Sequence, residues 1–490
     1  MSDPAVSELG GRAARGALST GTGLLVRMSL QMGSVIVLSR LLSPREYGLI
    51  AMVLAVIGIG ETLRDSGLSS AAIQSKDLSR SQRSNLFWTN TAIGTALAVV
   101  GFALSGVIAA FYDEPELVRI TQLLSLTFVL NGMMTQFRAD LIRSMRFRVV
   151  ARIDVLATAF ALATAVVLAS LGAGYWALVT QQLVQAACAL VAVVIAGRWM
   201  PLRYARDVPM RHLYTFGGNL LGSQLVGYVA NNVDALVIGS RFGAAPLGLY
   251  NRAFQLLMNP LNQVRAPSTT VALPVLSRAG ETPSFNGIVR TGQLVLAYPV
   301  TVGLAIVIGV SYPLVDVLLG REWSAVAPIL RFLALAGIFQ TLAYVGYWVY
   351  LSRGLTRPLL HYSFLSAAIR ITCVLIGSNW GVLGVAAGYA LAPMLAWPLS
   401  LWWLGRVTTL PIADLYRGAG RCLAVGAVTG ATTAAATYAL ADHGSWLQLA
   451  VGVCAGMAAT SLLLLLPPVR RDLGTLLHAG RAALRRPRRA

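Results

Sequence analysis

Four arginine side chains occur inside long apolar stretches of the sequence: Arg27, Arg252, Arg331 and Arg370. A charge at bilayer depth costs at least about 2.5 to 3.5 kcal/mol on insertion scales, so such residues usually face a bundle interior or a water-filled cavity. A guanidinium group matches a phosphate through two parallel hydrogen bonds. The four arginines are therefore predicted to line a cavity that binds a diphosphate.

Structural alternatives stay open for these arginines. Arg27 could instead be satisfied by helix carbonyls or by a neighbouring carboxylate. Arg331 and Arg370 are predicted at equal depth in adjacent spans, where they could share an anion or each extend to the outer headgroups. Extension to the headgroups is the slightly favoured interpretation for that pair.

Asp234 lies at the same predicted depth as Arg252 in the adjacent antiparallel span. The two could form an ion pair that locks the hairpin, or take part in binding a substrate or a cation. Asn231 and Asn232 add carbonyl oxygens that could coordinate Na⁺ or support a proton site. The sequence leaves both the coupling ion and these two roles open.

The basic connection that holds Arg138, Arg143 and Arg146 could set the orientation of the chain or capture a lipid diphosphate first at the cytoplasmic leaflet. Glu61 and Asp154 fall near the inner ends of their spans. For both carboxylates, a solvated or arginine-paired state is favoured over a role as proton carrier.

The elements that must position these residues are about 14 transmembrane helices of roughly 20 residues, the length that crosses a hydrocarbon core of about 30 Å. The predicted spans are 17–38, 46–63, 86–110, 118–137, 153–171, 175–197, 214–239, 246–264, 291–319, 325–350, 358–377, 380–404, 422–441 and 446–467. The fold class is thus an all-α integral membrane protein.

Charge distribution predicts the orientation. Of the 39 Lys and Arg residues, 30 lie in one set of connections and termini, five lie in the opposite set and four lie within spans. By the positive-inside rule both termini are cytoplasmic. The net charge of +20 therefore faces anionic lipid rather than nucleic acid, because it is confined to short connections and a tail.

Several other classes of function are disfavoured. A composition that is 56% hydrophobic and 12% charged excludes a soluble chain of 490 residues. The four cysteines fall within spans and the four histidines have no ligand spacing, so neither a disulfide framework nor a metal or other cofactor site is expected. External connections of about four to ten residues leave no room for the catalytic domain of a membrane glycosyltransferase.

Internal repetition divides the chain. Ser39, Arg40 and Arg64 match Ser240, Arg241 and Arg265 at an offset of 201, and Gly48 aligns with Gly248. LLSLTF (123–128) resembles FLALAG (332–337) at an offset near 208. The predicted domains are six-helix bundles at 1–205 and 206–405, two further helices at 406–467 and a basic cytoplasmic tail at 468–490. Bundles with even span numbers share one orientation, as in transporters built from parallel repeats.

The segments Ser39–Ser79, Phe111–Leu117, Asn231–Leu256 and Leu319–Gly337 resemble, in order, those of the polysaccharide-export flippases in the multidrug, oligosaccharidyl-lipid and polysaccharide exporter superfamily. The resemblance covers roughly residues 15–405. It implies a protein of lipopolysaccharide or exopolysaccharide biosynthesis in the bacterial inner membrane, which flips an undecaprenyl-diphosphate-linked oligosaccharide outward.

On that resemblance, alternating access of the two bundles is the expected mechanism, with Na⁺, H⁺ or the membrane potential as driving force. Polysaccharide polymerases or glycosyltransferases are the expected protein partners. The alternative function is a cation-coupled multidrug exporter on the same fold, which would need cavity carboxylates for its cationic substrates.

Overall fold

The computed structural model describes residues 25–65, 68, 72, 78–280, 282, 284–472 and 474. Arg12, Arg15 and Lys76 belong to the 30 basic residues predicted to be cytoplasmic and lie outside the described residues, as does most of the basic tail. Within the described part, every long element is a helix. The helices are α1 Leu25–Ser39, α2 Pro44–Asp65, α3 Arg80–Tyr112, α4 Leu117–Arg143, α5 Phe147–Ser170, α6 Trp176–Gly197, α7 Arg211–Phe242, α8 Ala244–Ala279, α9 Ser284–Gly309, α10 Ser311–Leu318, α11 Val326–Ser352, α12 Thr356–Gly377, α13 Gly381–Val407, α14 Ile412–Ala439 and α15 Ser445–Leu463.

Fourteen of these helices are long and correspond to the predicted spans, which confirms the all-α membrane architecture. Ten described helical stretches are long and apolar enough to cross a bilayer, and one of them, Thr356–Val407, contains both α12 and α13. α7 and α8 are too polar to be identified by composition alone. Large apolar side chains such as Phe102, Phe160 and Ile195 are exposed, as expected for surfaces that face lipid.

One detail of the predicted spans is wrong. The predicted span 291–319 is interrupted: α9 ends at Gly309, and the short helix α10 starts at Ser311. α8 contains Pro260, Pro267 and Pro274 and continues through all three to Ala279. Helices tolerate proline in membrane proteins because neighbouring helices and hydroxyl side chains satisfy the freed carbonyls.

The described chain divides into two compact units, Met1–Asn251 and Arg252–Ala490. This division measures packing and not sequence repetition, so the predicted domain boundaries stay a prediction. In unit 1, α3 packs on α4, α5 packs on α6, and α2 packs on α7. In unit 2, α9 packs on α14, α12 and α11 pack on α13, and α14 packs on α15.

The amino end of α3 holds the connection between α6 and α7. A capping box starts the helix: the Gln82 amide donates to the Ser79 Oγ, and the Ser79 amide donates to the Gln82 side chain. One turn later, the buried Asn85 side chain donates to the Ala205 carbonyl at 2.7 Å and accepts from the Ala205 amide at 2.9 Å. Trp88 donates to the Leu202 carbonyl at 2.7 Å. The connection is thus bonded to the bundle of unit 1.

The described start of the C-terminal tail is also fixed. Arg421 on α14 holds the Asp472 carboxylate through two bonds of 2.7 and 2.9 Å, and the Tyr298 hydroxyl on α9 donates to the same carboxylate at 2.9 Å. Asp472 is buried. A charge-assisted pair in this environment, with both oxygens used, is far stronger than an exposed pair.

Within unit 1, α2 and the first turns of α8 approach each other so closely that only glycine fits at their contact. A Cβ on Gly48 would lie 1.7 Å from the Ala244 carbonyl oxygen, and one on Gly248 would lie 1.9 Å from the Pro44 carbonyl oxygen. These glycines are the pair aligned by the sequence repeat, and each meets the backbone of the other's helix. Symmetric positions therefore make reciprocal contacts.

Substituting Gly48→Ala should destabilise the protein, because the added methyl group forces the two backbones apart; overpacking of this kind costs about 1–3 kcal/mol. Thermal unfolding of the purified protein in detergent measures the effect. The matched control is Gly106→Ala on α3, where a Cβ would meet nothing within 4 Å. Equal melting temperatures for the two variants would contradict the close contact.

Candidate functional site

Unit 1 contains a cavity of about 540 Å³, lined by residues from α1, α2, α4, α5 and α6. Its size is that of ordinary ligand sites, which span about 300–1,000 Å³. One part of the lining is apolar and includes Leu54, Ile57 and Leu124. The polar part is Arg27, Glu61, Arg64, Thr127, Asn131, Thr135, Arg138, Asp154, Thr158, Gln182 and Gln185.

Asp154 on α5 is the centre of the first charged cluster. Arg138 on α4 reaches it with two bonds, from Nη1 to Oδ1 at 2.6 Å and from Nη2 to Oδ2 at 2.8 Å. Arg27 on α1 lies 3.5 Å from Oδ2. Two guanidinium groups therefore share one carboxylate, and Arg27, with its side chain 38% exposed, is the less tightly held of the two.

Glu61 on α2 is the centre of the second cluster. One oxygen of its carboxylate accepts from Arg64 Nε at 2.7 Å, one turn further along the same helix. The other oxygen accepts from the Asn131 side chain on α4 at 2.8 Å. Arg64 also donates to the Asn131 carbonyl at 3.3 Å and to the Thr135 hydroxyl. Glu61 is thus fully engaged, and Arg64 is only 11% exposed.

The cavity carries more positive than negative charge: three arginines face two carboxylates. The partly desolvated setting makes this excess more effective than it would be in water. Each arginine retains N–H groups beyond those used by its carboxylate, since a guanidinium has five donors. The site can therefore accept an anion with several acceptor oxygens, while its apolar wall contacts a less polar part of the same ligand.

The charged lining lies toward one end of the helices. Glu61 and Arg64 fall in the last two turns of α2, Arg138 is close to the end of α4, and Asp154 is about two turns from the start of α5. Because α2 and α4 run in the same predicted direction and α5 runs opposite, these positions share one depth. On the predicted orientation this is the cytoplasmic half of the spans.

The structure brings Arg27 and Arg138 together at this cavity, although the sequence assigned one to a central cavity and the other to a cytoplasmic loop. Arg146 is exposed and donates to the Ala196 carbonyl at 2.8 Å, and Arg143 is half-buried at the end of α4. Neither is among the residues that line the cavity. Their proposed role in capturing a lipid stays a prediction.

The remaining predicted arginines belong to unit 2. Arg331 donates from Nε to the Ser311 hydroxyl at 2.6 Å and to the Ile308 carbonyl at 3.2 Å, and it lies over the Tyr312 ring. It therefore satisfies the Ile308 carbonyl, which lies where α9 ends and α10 begins. The Arg370 guanidinium lies 5.5 Å from the centre of the Tyr389 ring. Whether an anion joins either residue stays a prediction.

Asp234 and Arg252 are both buried. The Tyr250 hydroxyl donates to Asp234 within unit 1, whereas Arg252 donates to Gln255 at 2.8 Å within unit 2. Asn232 donates to the Tyr228 carbonyl at 2.9 Å, and Asn231 is exposed. These contacts give Asp234, Arg252 and Asn232 local hydrogen-bond partners, and the expected coupling-ion site stays a prediction.

Sequence reasoning missed Arg64, Asn131, Thr135, Gln182 and Gln185. Arg64 was assigned to a connection because it ends an apolar stretch. The other four lie within predicted spans and carry no charge. A search for charged residues inside spans therefore did not find them. A signal was present nonetheless: Glu61 and Arg64 are three residues apart and share one helix face, and polar side chains deep in a span tend to face protein or water.

Comparison with solved structures places the fold among membrane transporters. The chain superposes on a structure titled "Lipid II flippase MurJ, inward closed conformation" with a TM-score of 0.71 over 93% of this chain and 99% of that one, at 14% identity. A structure of a multidrug resistance MATE family transporter of the MOP superfamily, inward-facing, gives a TM-score of 0.58 over 80% of this chain and 95% of that one, also at 14% identity. The chain is a multi-pass membrane protein with the fold of these transporters.

The chain belongs to the polysaccharide biosynthesis protein family, whose model matches residues 37–328. This result confirms the resemblance identified from the sequence motifs. Among curated relatives, the chain is 27% identical to the teichuronic acid biosynthesis protein TuaB of Bacillus subtilis, over 85% of this chain and 87% of that protein. It is 23% identical to the lipopolysaccharide biosynthesis protein WzxC of Escherichia coli, over 78% of both chains. It is 26% identical to the succinoglycan biosynthesis transport protein ExoT of Rhizobium meliloti, over 63% of this chain and 62% of that one.

Replacing Asp154 by Asn should destabilise the protein by about 1–3 kcal/mol, because Arg138 and Arg27 lose their shared carboxylate in a partly buried site. Thermal unfolding in detergent measures the change. The control is Glu116→Gln, which breaks an exposed pair with Arg45 at 2.8 Å and should cost only about 0.2–1 kcal/mol. A variant of Asp154 no less stable than the control would contradict the central position of this carboxylate.

Proposed function

We propose that the protein flips an undecaprenyl-diphosphate-linked oligosaccharide from the cytoplasmic to the outer leaflet of the bacterial inner membrane, for synthesis of a cell-surface polysaccharide. Membership of the polysaccharide biosynthesis family and the transport role in the name of ExoT support the class of cargo. The cavity of unit 1 supports the chemistry. On this proposal the protein is a transporter and not an enzyme.

The observation that carries the proposal is the excess of guanidinium groups in the cavity. A diphosphate ester brings negative charge on several oxygens within a compact group, and arginine binds such oxygens in pairs. Arg27, Arg64 and Arg138 come from three helices and line one space. The glutamines of α6 and the hydroxyl groups of Thr127 and Thr158 supply neutral donors and acceptors suited to the sugar that follows the diphosphate.

The cavity lies in the predicted cytoplasmic half of the spans. This location suits the first step of such a cycle, in which the protein binds cargo made inside the cell. The polyprenyl chain would stay in lipid, because its apolar surface gains nothing from a charged cavity. Alternating access of the two repeats would then move the head group outward. Both termini would lie in the cytoplasm, beside anionic lipid and the polymerases or glycosyltransferases that use the cargo.

The alternative, a cation-coupled multidrug exporter, shares the fold but fits this cavity less well. A cationic drug would be repelled by three arginines unless carboxylates outnumbered them. Both cavity carboxylates are already bonded to arginine. The lipid-linked anion is therefore the better-supported substrate class, and Na⁺ or H⁺ remains the expected coupling ion, without any further cofactor.

Removing one cavity arginine should cut transport at least tenfold. A charge-assisted hydrogen bond contributes about 1.5–3 kcal/mol, and each 1.4 kcal/mol is a factor of ten. The variants are Arg27→Ala, Arg64→Gln and Arg138→Gln, with Arg45→Gln as the control because its pair with Glu114 and Glu116 is exposed. Reconstituted vesicles and a labelled polyprenyl-diphosphate sugar give the flipping rate, and complementation of a gene deletion gives the surface polysaccharide.

Arg64→Lys separates binding from folding in that experiment, since it keeps the charge but loses the paired donors. Its flipping rate should fall between those of the wild type and Arg64→Gln. In the deletion strain the lipid-linked unit should accumulate on the cytoplasmic face. Full activity in all three cavity variants would overturn the assignment of this cavity as the site.

Alternating access makes a separate prediction. A disulfide that joins the outer starts of α2 and α8, near the contact of Gly48 with Ala244, should stop flipping under oxidising conditions, because those helices belong to different repeats that must separate. Reduction should restore the rate in the same vesicles. Unchanged flipping with the crosslink fully formed would contradict outward opening at that contact.

A further inference from the structure

The neutral polar side chains of the unit 1 cavity form two sets, and the first set is bonded within the protein. Thr127 donates to the Leu124 carbonyl at 2.5 Å, and Thr135 donates to the Asn131 carbonyl at 2.7 Å. The Asn131 side chain donates to Glu61 at 2.8 Å. These groups use their hydrogen bonds to hold the helices and the charged clusters in place.

The second set is Thr158 on α5 with Gln182 and Gln185 on α6, and all three line the cavity. The Thr158 hydroxyl is buried without a hydrogen-bond partner, whereas Thr164 on the same helix donates to the Phe160 carbonyl. Among the residues that the structure describes, neither glutamine amide has a partner. This set therefore does not hold the bundle together through hydrogen bonds.

The unbonded groups lie deeper in the predicted membrane than the charged cluster of Asp154. Thr158 is one turn beyond Asp154 on α5, about three turns from the start of that helix. α6 packs on α5 and runs in the opposite direction, and Gln185 is about three turns from its end. Thr158 and Gln185 thus share a depth, and Gln182 lies one turn further outward. On the predicted orientation, these groups are nearer the centre of the bilayer.

The three groups have the hydrogen-bonding chemistry that suits a sugar. One hydroxyl and two primary amides offer donors and acceptors together. A diphosphate has acceptor oxygens only, so it would leave the amide carbonyls without a donor. A sugar hydroxyl donates and accepts, and a row of them satisfies both halves of an amide. Ala157 and Ala186, next to Thr158 and Gln185 in the lining, are small and leave space for a sugar ring.

Resting on the proposed function, we propose that Thr158, Gln182 and Gln185 bind the hydroxyl groups of the first sugar and select which sugar is carried. The diphosphate binds to the arginines nearer the cytoplasm, and the sugar extends from it toward the centre of the bilayer. A site built to bond a hydroxyl group rejects a ligand that lacks it, because the polar groups of the site are then left unpaired.

Thr158 separates this role from a structural one. Thr158→Val keeps the branched shape of the side chain and removes a buried hydroxyl that has no partner, so the melting temperature should stay the same or rise. The KM for a sugar-bearing lipid should rise about two- to tenfold, because one hydrogen bond to the sugar is lost. A lower melting temperature with an unchanged KM would contradict the proposed role.

The main test compares two probes in vesicles that contain the full chain. One is a polyprenyl-diphosphate with a fluorescent label on its lipid chain, and the other is the same lipid with one hexose. Glucose, galactose and their 2-acetamido forms are compared, and the hexose with the lowest KM is used. Wild-type protein should have a KM for this probe at least about tenfold lower than for the lipid without a sugar.

Replacing Gln182 and Gln185 together by Met should raise the KM for the sugar probe about five- to hundredfold, because two hydrogen bonds are lost. The KM for the sugar-free probe should change less than about twofold. The matched control is Gln181→Met: Gln181 is on the same helix, donates to Ser34 on α1 at 3.1 Å and is not among the cavity-lining residues. It should affect both probes equally, as should Arg138→Gln, which acts on the shared diphosphate.

The possible results separate the two proposals. Wild-type protein that moves both probes with equal KM overturns the sugar site and leaves the proposed function intact. The same holds if the double glutamine variant raises the KM for both probes by one factor, or for neither. Wild-type protein that moves neither probe overturns the proposed function and this inference together.

Discussion

Compensation of charge at membrane depth is the constraint on which unit 1 depends. Asp154 on α5 ties α4 through Arg138 and α1 through Arg27, and Asn131 on α4 ties α2 through Glu61. A buried charge without a partner is costly, so these bonds help to fix where each helix lies. The same arginines form the candidate site. An anion that binds there competes with bonds that stabilise the bundle, so binding and stability are coupled in this unit.

The two units hold their buried arginines in different ways. Unit 1 uses ion pairs around a cavity, whereas unit 2 uses neutral groups: amides at Arg265 and a hydroxyl with a helix-end carbonyl at Arg331. Neutral acceptors hold a guanidinium without cancelling its charge. Among the described residues, the guanidinium groups of Arg265 and Arg331 thus contact neutral acceptors, whereas the arginines of the unit 1 cavity are partly compensated by two carboxylates.

How far the sequence predicts this structure depends on the range of the interaction. The spans followed from apolar stretches, and they include α7 and α8, although the polar residues of these two helices weaken that signal. Local pairs such as Glu61 with Arg64 were within reach of helix spacing. Arg27 and Asp154 are 127 positions apart, so no sequence periodicity predicts their contact. The packing of α1 against α5 brings them together. The continuation of α8 through three prolines is likewise beyond the sequence, since the penalty of a missing N–H depends on neighbours that a single sequence does not specify.

The connection between α6 and α7 has a practical consequence. Chain segments between repeats are common places to insert a reporter or to nick a protein with a protease, since exposed backbone there usually makes few bonds. Here the backbone on either side of Tyr204 is bonded: Asn85 pairs with both main-chain groups of Ala205, and Ser84 and Trp88 hold Leu202. A fluorescent tag or cleavage site placed at this point would therefore disturb the packing of unit 1 itself.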